Sequence, residues 1–125
     1  MLNFASKIIT IMDIYFQDKD FEALVNNERK CKKKLGERRT KILQRRLADI
    51  ALADNLEETM QLPGHFHPLR ENRNGPWACD LDQPYRLIIE PHEKPIPADE
   101  GGNYKWVEVK MVDVNEIVNY HEKKK

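Results

Sequence analysis

Apolar residues recur with a helical period in the first half of the chain and with a period of two in the second half. Met12 to Phe16 predicts a short strand. Asp18 or Asp20 is placed to cap the helix that follows, which carries Phe21, Leu24 and Val25 on one face. Leu35-Gly36 is a break, and Glu37 to Asp54 predicts a long helix. Leu43, Leu47 and Ile50 form its apolar stripe, with Arg38, Lys41 and Arg45 on the opposite side. Asn55 is positioned to cap a further turn through Met60. Beyond Pro63-Gly64 the period changes. His65 to Leu69 is a candidate strand, and Asn74-Gly75 supplies turn chemistry. Trp77, Cys79 and Leu81 alternate with Ala78 and Asp80; Tyr85, Leu87 and Ile89 alternate with Arg86 and Ile88; Val107, Val109 and Met111 alternate with Trp106, Glu108 and Lys110. Pro91 to Asn103 predicts a long acidic loop. The chain then ends in a strand, a short helical turn and Tyr120-His121. The predicted fold is α+β: an N-terminal helical hairpin on one face of a four- or five-stranded, mainly antiparallel sheet, with a short C-terminal helical turn. If Tyr85, Leu87 and Ile89 face the helices, Arg86 faces the open side.

Length and composition sharpen this picture. A chain of 125 residues with 40% hydrophobic content supports one domain and one modest core. The formal net charge is zero, yet the charges are segregated. Arg29, Lys30, Lys32, Lys33, Lys34, Arg38, Arg39, Lys41, Arg45 and Arg46 are opposed within their stretch only by Glu37, and the acids cluster later. Such a dipolar surface suits nucleic acid or an acidic partner, and it equally suits a solvated helix face. Cys31 and Cys79 form no CxxC pattern, as expected of a reducing, cytoplasmic setting. No apolar run approaches the ~20 residues that span a bilayer. Met1 to Phe16 is interrupted by Lys7 and Asp13 and lacks a small-residue cleavage site. Residues 1–11 are expected to be an extension before Met12, 12–121 the folded domain, and 122–125 a charged tail.

The candidate chemistry is metal-free cleavage of a phosphate ester, RNA above all. That reaction needs a base for the 2′-hydroxyl, cations for the phosphorane, and an acid for the departing 5′-oxygen. His67, His121 and Tyr120 can carry protons, and an imidazole titrates near neutral pH. Arg70, Arg73 and Arg86 offer fixed planar donors that match a phosphate. Plainer roles fit the same residues. His67 can be a strand-end residue, Tyr120 a core aromatic that pins the C-terminus, and Arg73 a turn residue in solvent. His65 and His67 can pair with Cys79 or His92 around a transition metal, although no second ligand pair has metal-site spacing. No metal or cofactor is therefore expected. Asp80 and Asp82 read as ordinary loop acids, and Trp77 and Trp106 as packing aromatics.

The string His67-Pro68-Leu69-Arg70-Glu71-Asn72-Arg73-Asn74-Gly75-Pro76-Trp77, the later Tyr85-Arg86-Leu87-Ile88-Ile89 and the terminal Tyr120-His121 resemble the HigB branch of the RelE/ParE toxin superfamily, the plasmid maintenance killer proteins. The resemblance runs from about Met12 to His121 and takes in Leu35-Gly36 and Asn55-Leu56. It implies a RelE-like fold and a bacterial type II toxin–antitoxin module. It also implies a ribosome-dependent mRNA endonuclease (an mRNA interferase) that cuts the message in the decoding site and stops translation. By this likeness His67, Arg86, Tyr120 and His121 are catalytic, and Arg70 and Arg73 contact the RNA backbone. The basic helix face Arg38/Lys41/Arg45 would grip ribosomal RNA. The implied partners are the ribosome, mRNA and a cognate antitoxin, commonly a helix-turn-helix protein, in a hetero-oligomer. Asn119 stands where the family usually has an aspartate, and an amide cannot exchange a proton near neutral pH. The acidic stretch Glu90 to Asn103 and the upstream Met1 to Ile11 also depart from compact members. Two alternatives stay open: a ParE-like gyrase poison, and a non-enzymatic relative that only binds an antitoxin-like regulator.

Overall fold

A computed structural model describes residues 11–69 and 75–120. β1 (Asp13–Phe16) runs into Asp18, whose carboxylate accepts from the backbone N–H groups of Asp20 and Phe21 and starts α1 (Lys19–Val25). The expected hairpin is in fact three helices. Asn27 accepts from the Lys30 N–H at 3.1 Å and opens α2 (Glu28–Leu35), so the lysine run has a helix of its own. Gly36, at φ +91°, joins α2 to α3 (Glu37–Leu52). The predicted apolar stripe Leu43, Leu47 and Ile50 is fully buried. Asn55 then caps the 3-10 turn Glu57–Gln61 through a 3.0 Å bond from the Glu58 N–H. Among the described residues no helix is long and apolar enough to cross a membrane.

β2 (His67–Pro68), β3 (Trp77–Asp80), β4 (Tyr85–Pro91) and β5 (Met111–Asn119) complete a five-stranded sheet in the order β1-β5-β4-β3-β2. β1 is parallel to β5, and the other pairs are antiparallel. Register sorts side chains onto two faces, because directly paired residues point the same way. Ile14, Phe16, Trp77, Cys79, Tyr85, Leu87, Ile89, Val112, Val114 and Ile117 join the core with Leu43, Leu47 and Ile50. Arg86, paired with Asp80 and Val118, lies on the other face, which no described helix covers.

Three segments differ from their pattern. β2 is shorter than His65 to Leu69 because Gly64 and His65 have φ of +110° and +54°, outside the strand region. Trp106 to Glu108 is a 3-10 turn, and the last strand starts only at Met111. A 3-10 turn thus precedes β5, and Tyr120, directly after the strand, is in helical conformation. Residues 115–118 mimic helical spacing because of a bulge. Ile88 pairs with Glu116 and Ile89 with Val114, which leaves Asn115 as an extra residue that shifts the apolar phase by one. Ile11 and Met12 are also tied in, since both N–H groups donate to the Ala51 carbonyl, and Met12 is fully buried.

Two arginines of the basic run are structural. Arg39 forks onto Asp82 at 2.8 and 3.1 Å and lies 3.4 Å over the Tyr85 ring, which clamps α3 to the β3–β4 turn. Burial pushes the Asp82 carboxyl up, but the Arg39 hydrogen bonds and charge outweigh it, so its pKa is lowered. A lowered carboxylate contributes stability above its unfolded value and loses it as pH falls through the folded one. Asp82→Asn should therefore cost about 2 kcal/mol at neutral pH, and urea melts of variant and parent should converge below the ordinary carboxylate range. Arg46 donates to the Asp80 carbonyl at 2.7 Å and packs against Gly64. A Cβ on Gly64 would sit 2.6 Å from Arg46 Nε at a φ of +110°. Gly64→Ala should lower stability by about 2 kcal/mol or more, visible as a reduced Tm.

Candidate active site

The open face gathers its polar groups at the β2, β3 and β4 end. Asp80 is the register partner of Arg86, and Arg86 that of Val118. Tyr120 follows β5, and its backbone N–H donates to the Pro84 carbonyl at 3.0 Å. That bond anchors the end of β5 and leaves the ring beside Arg86, whose guanidinium carbon lies 4.0 Å from the ring centre. Tyr120 thus ties the end of β5 to Pro84 through its backbone, while its ring lies on Arg86 at the open face.

Arg86 Nε is 3.3 Å from Asp80 Oδ1, and the two side chains are 20% and 24% exposed. Asp80 Oδ1 is buried and accepts no hydrogen bond, so the pair is electrostatic and poorly aligned. Its other oxygen lies 3.9 Å from His65 Nδ1. The His65 ring stacks on His67 at 4.2 Å with 22° between planes. A continuous chain therefore runs His67, His65, Asp80, Arg86, Tyr120. His67 pairs with Ala78, two residues before Asp80, so it stands on the same face as Arg86 and one row away. Three of the four expected catalytic residues are thereby brought to one face. His121, Arg70 and Arg73 lie outside the described residues.

The tautomer of His67 follows from its contact. Nδ1 is 2.7 Å from the His65 carbonyl oxygen, which can only accept. The neutral ring must then carry its proton on Nδ1, and Nε2 keeps a lone pair for a substrate proton. Arg86 Nε is the atom nearest Asp80, and the outer edge of the guanidinium carries its two terminal amino groups. A planar cation held on one edge by a carboxylate and on one face by a phenol keeps its outer fork for an oxyanion.

Comparison of the chain with protein-family models, with curated proteins and with solved structures finds no match. What the site can do therefore rests on its own geometry. The proposed RNA-gripping residues do not join it. Arg38, Lys41 and Arg45 are exposed on the outer side of α3, in the layer opposite the open face, and Lys41 pairs with Glu37 at 3.4 Å. The metal alternative through Cys79 is not assembled, because Cys79 is fully buried on the helix side of the sheet. Burial pushes its thiol up to about 12. Among the described residues no group of three or more His, Cys, Asp or Glu is arranged to hold a metal ion.

Sequence reasoning read His65 only as a metal candidate and Asp80 as an ordinary acid, and so missed their place between His67 and Arg86. The signal for Asp80 was its alternation opposite Cys79, which places it with Arg86. The signal for His65 was Pro63-Gly64, since a break just before it puts the residue on a turn beside the strand. A second polar network occupies the far end of the same face. Buried Asp113 holds His92 at 2.6 Å and Gln17 at 3.1 Å, and buried Glu90 accepts from Asn115 at 3.0 Å. Tyr15 stacks on His92 at 3.9 Å. Here the carboxylates are satisfied by their neighbours, as a structural network requires.

Proposed function

We propose that this chain is a type II toxin of the HigB branch of the RelE/ParE superfamily, a metal-independent, ribosome-dependent mRNA endonuclease acting in the cytoplasm. The observation that carries the reading is Arg86 seated on Tyr120 on the open sheet face, linked through Asp80 and His65 to His67. His67 Nε2 takes the 2′-hydroxyl proton. The outer fork of Arg86 stabilises the phosphorane, and the Tyr120 ring holds that fork and stacks on substrate. By the resemblance, His121 protonates the departing 5′-oxygen and Arg70 and Arg73 contact the RNA backbone.

Asn119 weighs little against this mechanism. It is the register partner of Tyr85, on the helix-facing side of the sheet, away from Arg86. A carboxylate at that position would face away from Arg86, Asp80 and His67, so its replacement by an amide removes no proton carrier from those three.

The deciding experiment is primer extension on a message translated in vitro with the purified protein. Codon-phased cuts are the expected result. DNA breaks in a gyrase assay without such cuts would transfer the chain to the ParE-like alternative. Neither cuts nor breaks, with binding to a regulator retained, would leave only the non-enzymatic module. The partners are the ribosome, mRNA and a cognate helix-turn-helix antitoxin that binds the toxin as a hetero-oligomer. Arg38, Lys41 and Arg45 grip ribosomal RNA from the helical side. Replacing all three with glutamine should flatten the salt dependence of ribosome binding by a log–log slope of about 2. An unchanged slope would remove them from the interface.

A further inference from the structure

Asp80 touches both halves of the site. Its Oδ1 lies 3.3 Å from Arg86 Nε, and its Oδ2 lies 3.9 Å from His65 Nδ1. Its main chain is held as firmly, for its N–H donates to the Gly64 carbonyl at 2.7 Å and its own carbonyl accepts from Arg46 Nε at 2.7 Å. Gly64 precedes His65, whose φ of +54° is a conformation that non-glycine residues adopt at a cost. The carbonyl of that strained residue sets the tautomer of His67. One residue thus reaches the guanidinium through its carboxylate and the imidazole pair through its backbone.

We propose that Asp80 is a positioning residue of the nuclease centre, its carboxylate holding Arg86 on Tyr120 and, through its approach to His65, steadying the His65–His67 stack that aims His67 Nε2 at substrate. The assignment rests on the nuclease reading above. Its physical basis is the state of the carboxylate. Asp80 Oδ1 is buried, faces a cation, and receives no aligned hydrogen bond. A folded protein leaves few such groups, because each one costs stability. Asp80 stands at the Nε edge of Arg86, and the terminal amino groups on the opposite side of the guanidinium are the ones a phosphate would meet. Its two oxygens face Arg86 and His65, so it acts through those residues and transfers no proton itself.

The test uses the full-length chain with Asp80→Ala and Asp80→Asn. In translation-coupled cleavage, Asp80→Ala should lower kcat by about 10²-fold with KM little changed, the pattern of a misplaced transition-state group. Asp80→Asn keeps the shape and one acceptor, so it should recover part of the loss. An NMR readout separates this role from general destabilisation. The Arg86 guanidinium carbon lies 4.0 Å from the Tyr120 ring centre and that of Arg39 3.4 Å from the Tyr85 ring centre, so each set of side-chain protons should carry a ring-current shift. Asp80→Ala should collapse the first shift and leave the second intact. Wild-type kcat in Asp80→Ala, or an Arg86 shift that survives the substitution, overturns the proposal. Should Asp80→Ala not fold, Asp80→Asn carries the same comparison, with a reduced kcat and a weakened Arg86 shift expected. If the parent protein makes no codon-phased cuts, the nuclease reading falls, and the Arg86 spectrum still decides whether Asp80 holds the guanidinium.

Discussion

Replacing His67 by alanine is expected to slow message cleavage by about 10²- to 10⁴-fold, the range that a positioned general base contributes. The fold should survive. His67 stands on the two-residue strand β2, is half-buried, and makes its ring hydrogen bond to its own turn at 2.7 Å. The change should cost less than about 1 kcal/mol in a urea melt. Growth arrest on induction should disappear with the cuts. His67→Gln sharpens the result, because an amide restores polarity and volume but accepts no proton near neutral pH. Both variants should therefore be inactive. Cleavage by either at the parental rate would remove His67 from the chemistry and return it to the role of a strand-end residue.

The second large effect is expected at Arg86. Arg86→Ala removes the cation that faces the developing phosphorane charge and should reduce kcat by about 10²- to 10³-fold. It also strands the Asp80 carboxylate, so a stability loss of about 1–3 kcal/mol should accompany it. Arg86→Lys separates charge from shape. Lysine keeps the positive charge but lacks the planar fork and sits less well on a phenol ring. It should restore most of the stability and little of the rate. Full activity in Arg86→Lys would mean that net charge alone matters, and the stacked geometry with Tyr120 at 4.0 Å would then have no catalytic role.

Both substitutions act on a site whose parts differ in how far the chain announces them. Arg86 was legible. Its neighbours Tyr85, Leu87 and Ile89 alternate with it, and burial of that set on the helices places the arginine on the open face. The caps Asp18 and Asn55 were legible for a similar reason, since a short polar side chain before an apolar period has a local hydrogen bond to make. Asn27 was hidden inside a lysine-rich run, where charge obscured the start of α2. Asp80 read as an ordinary loop acid and His65 only as a candidate metal ligand, because their partners are remote in the chain or held by an unusual turn. Neither the 3.9 Å approach of His65 to Asp80 nor the left-handed φ of His65 leaves a trace in periodicity.

Local patterning by itself determined the α+β class, the buried stripe of α3, the caps at Asp18 and Asn55 and the face on which Arg86 stands. These depend on contacts a few residues apart and on which residues prefer to leave water. Tertiary structure alone decided that β1 joins β5 in parallel, that Asn115 is a bulge inside one long strand, and that Arg39 and Arg46 are clamps. It also decided that Asp80 stands between Arg86 and His65. Each of these is a pairing between distant segments, and its energy depends on register and on close approach, quantities that exist only once the sheet and helices have packed.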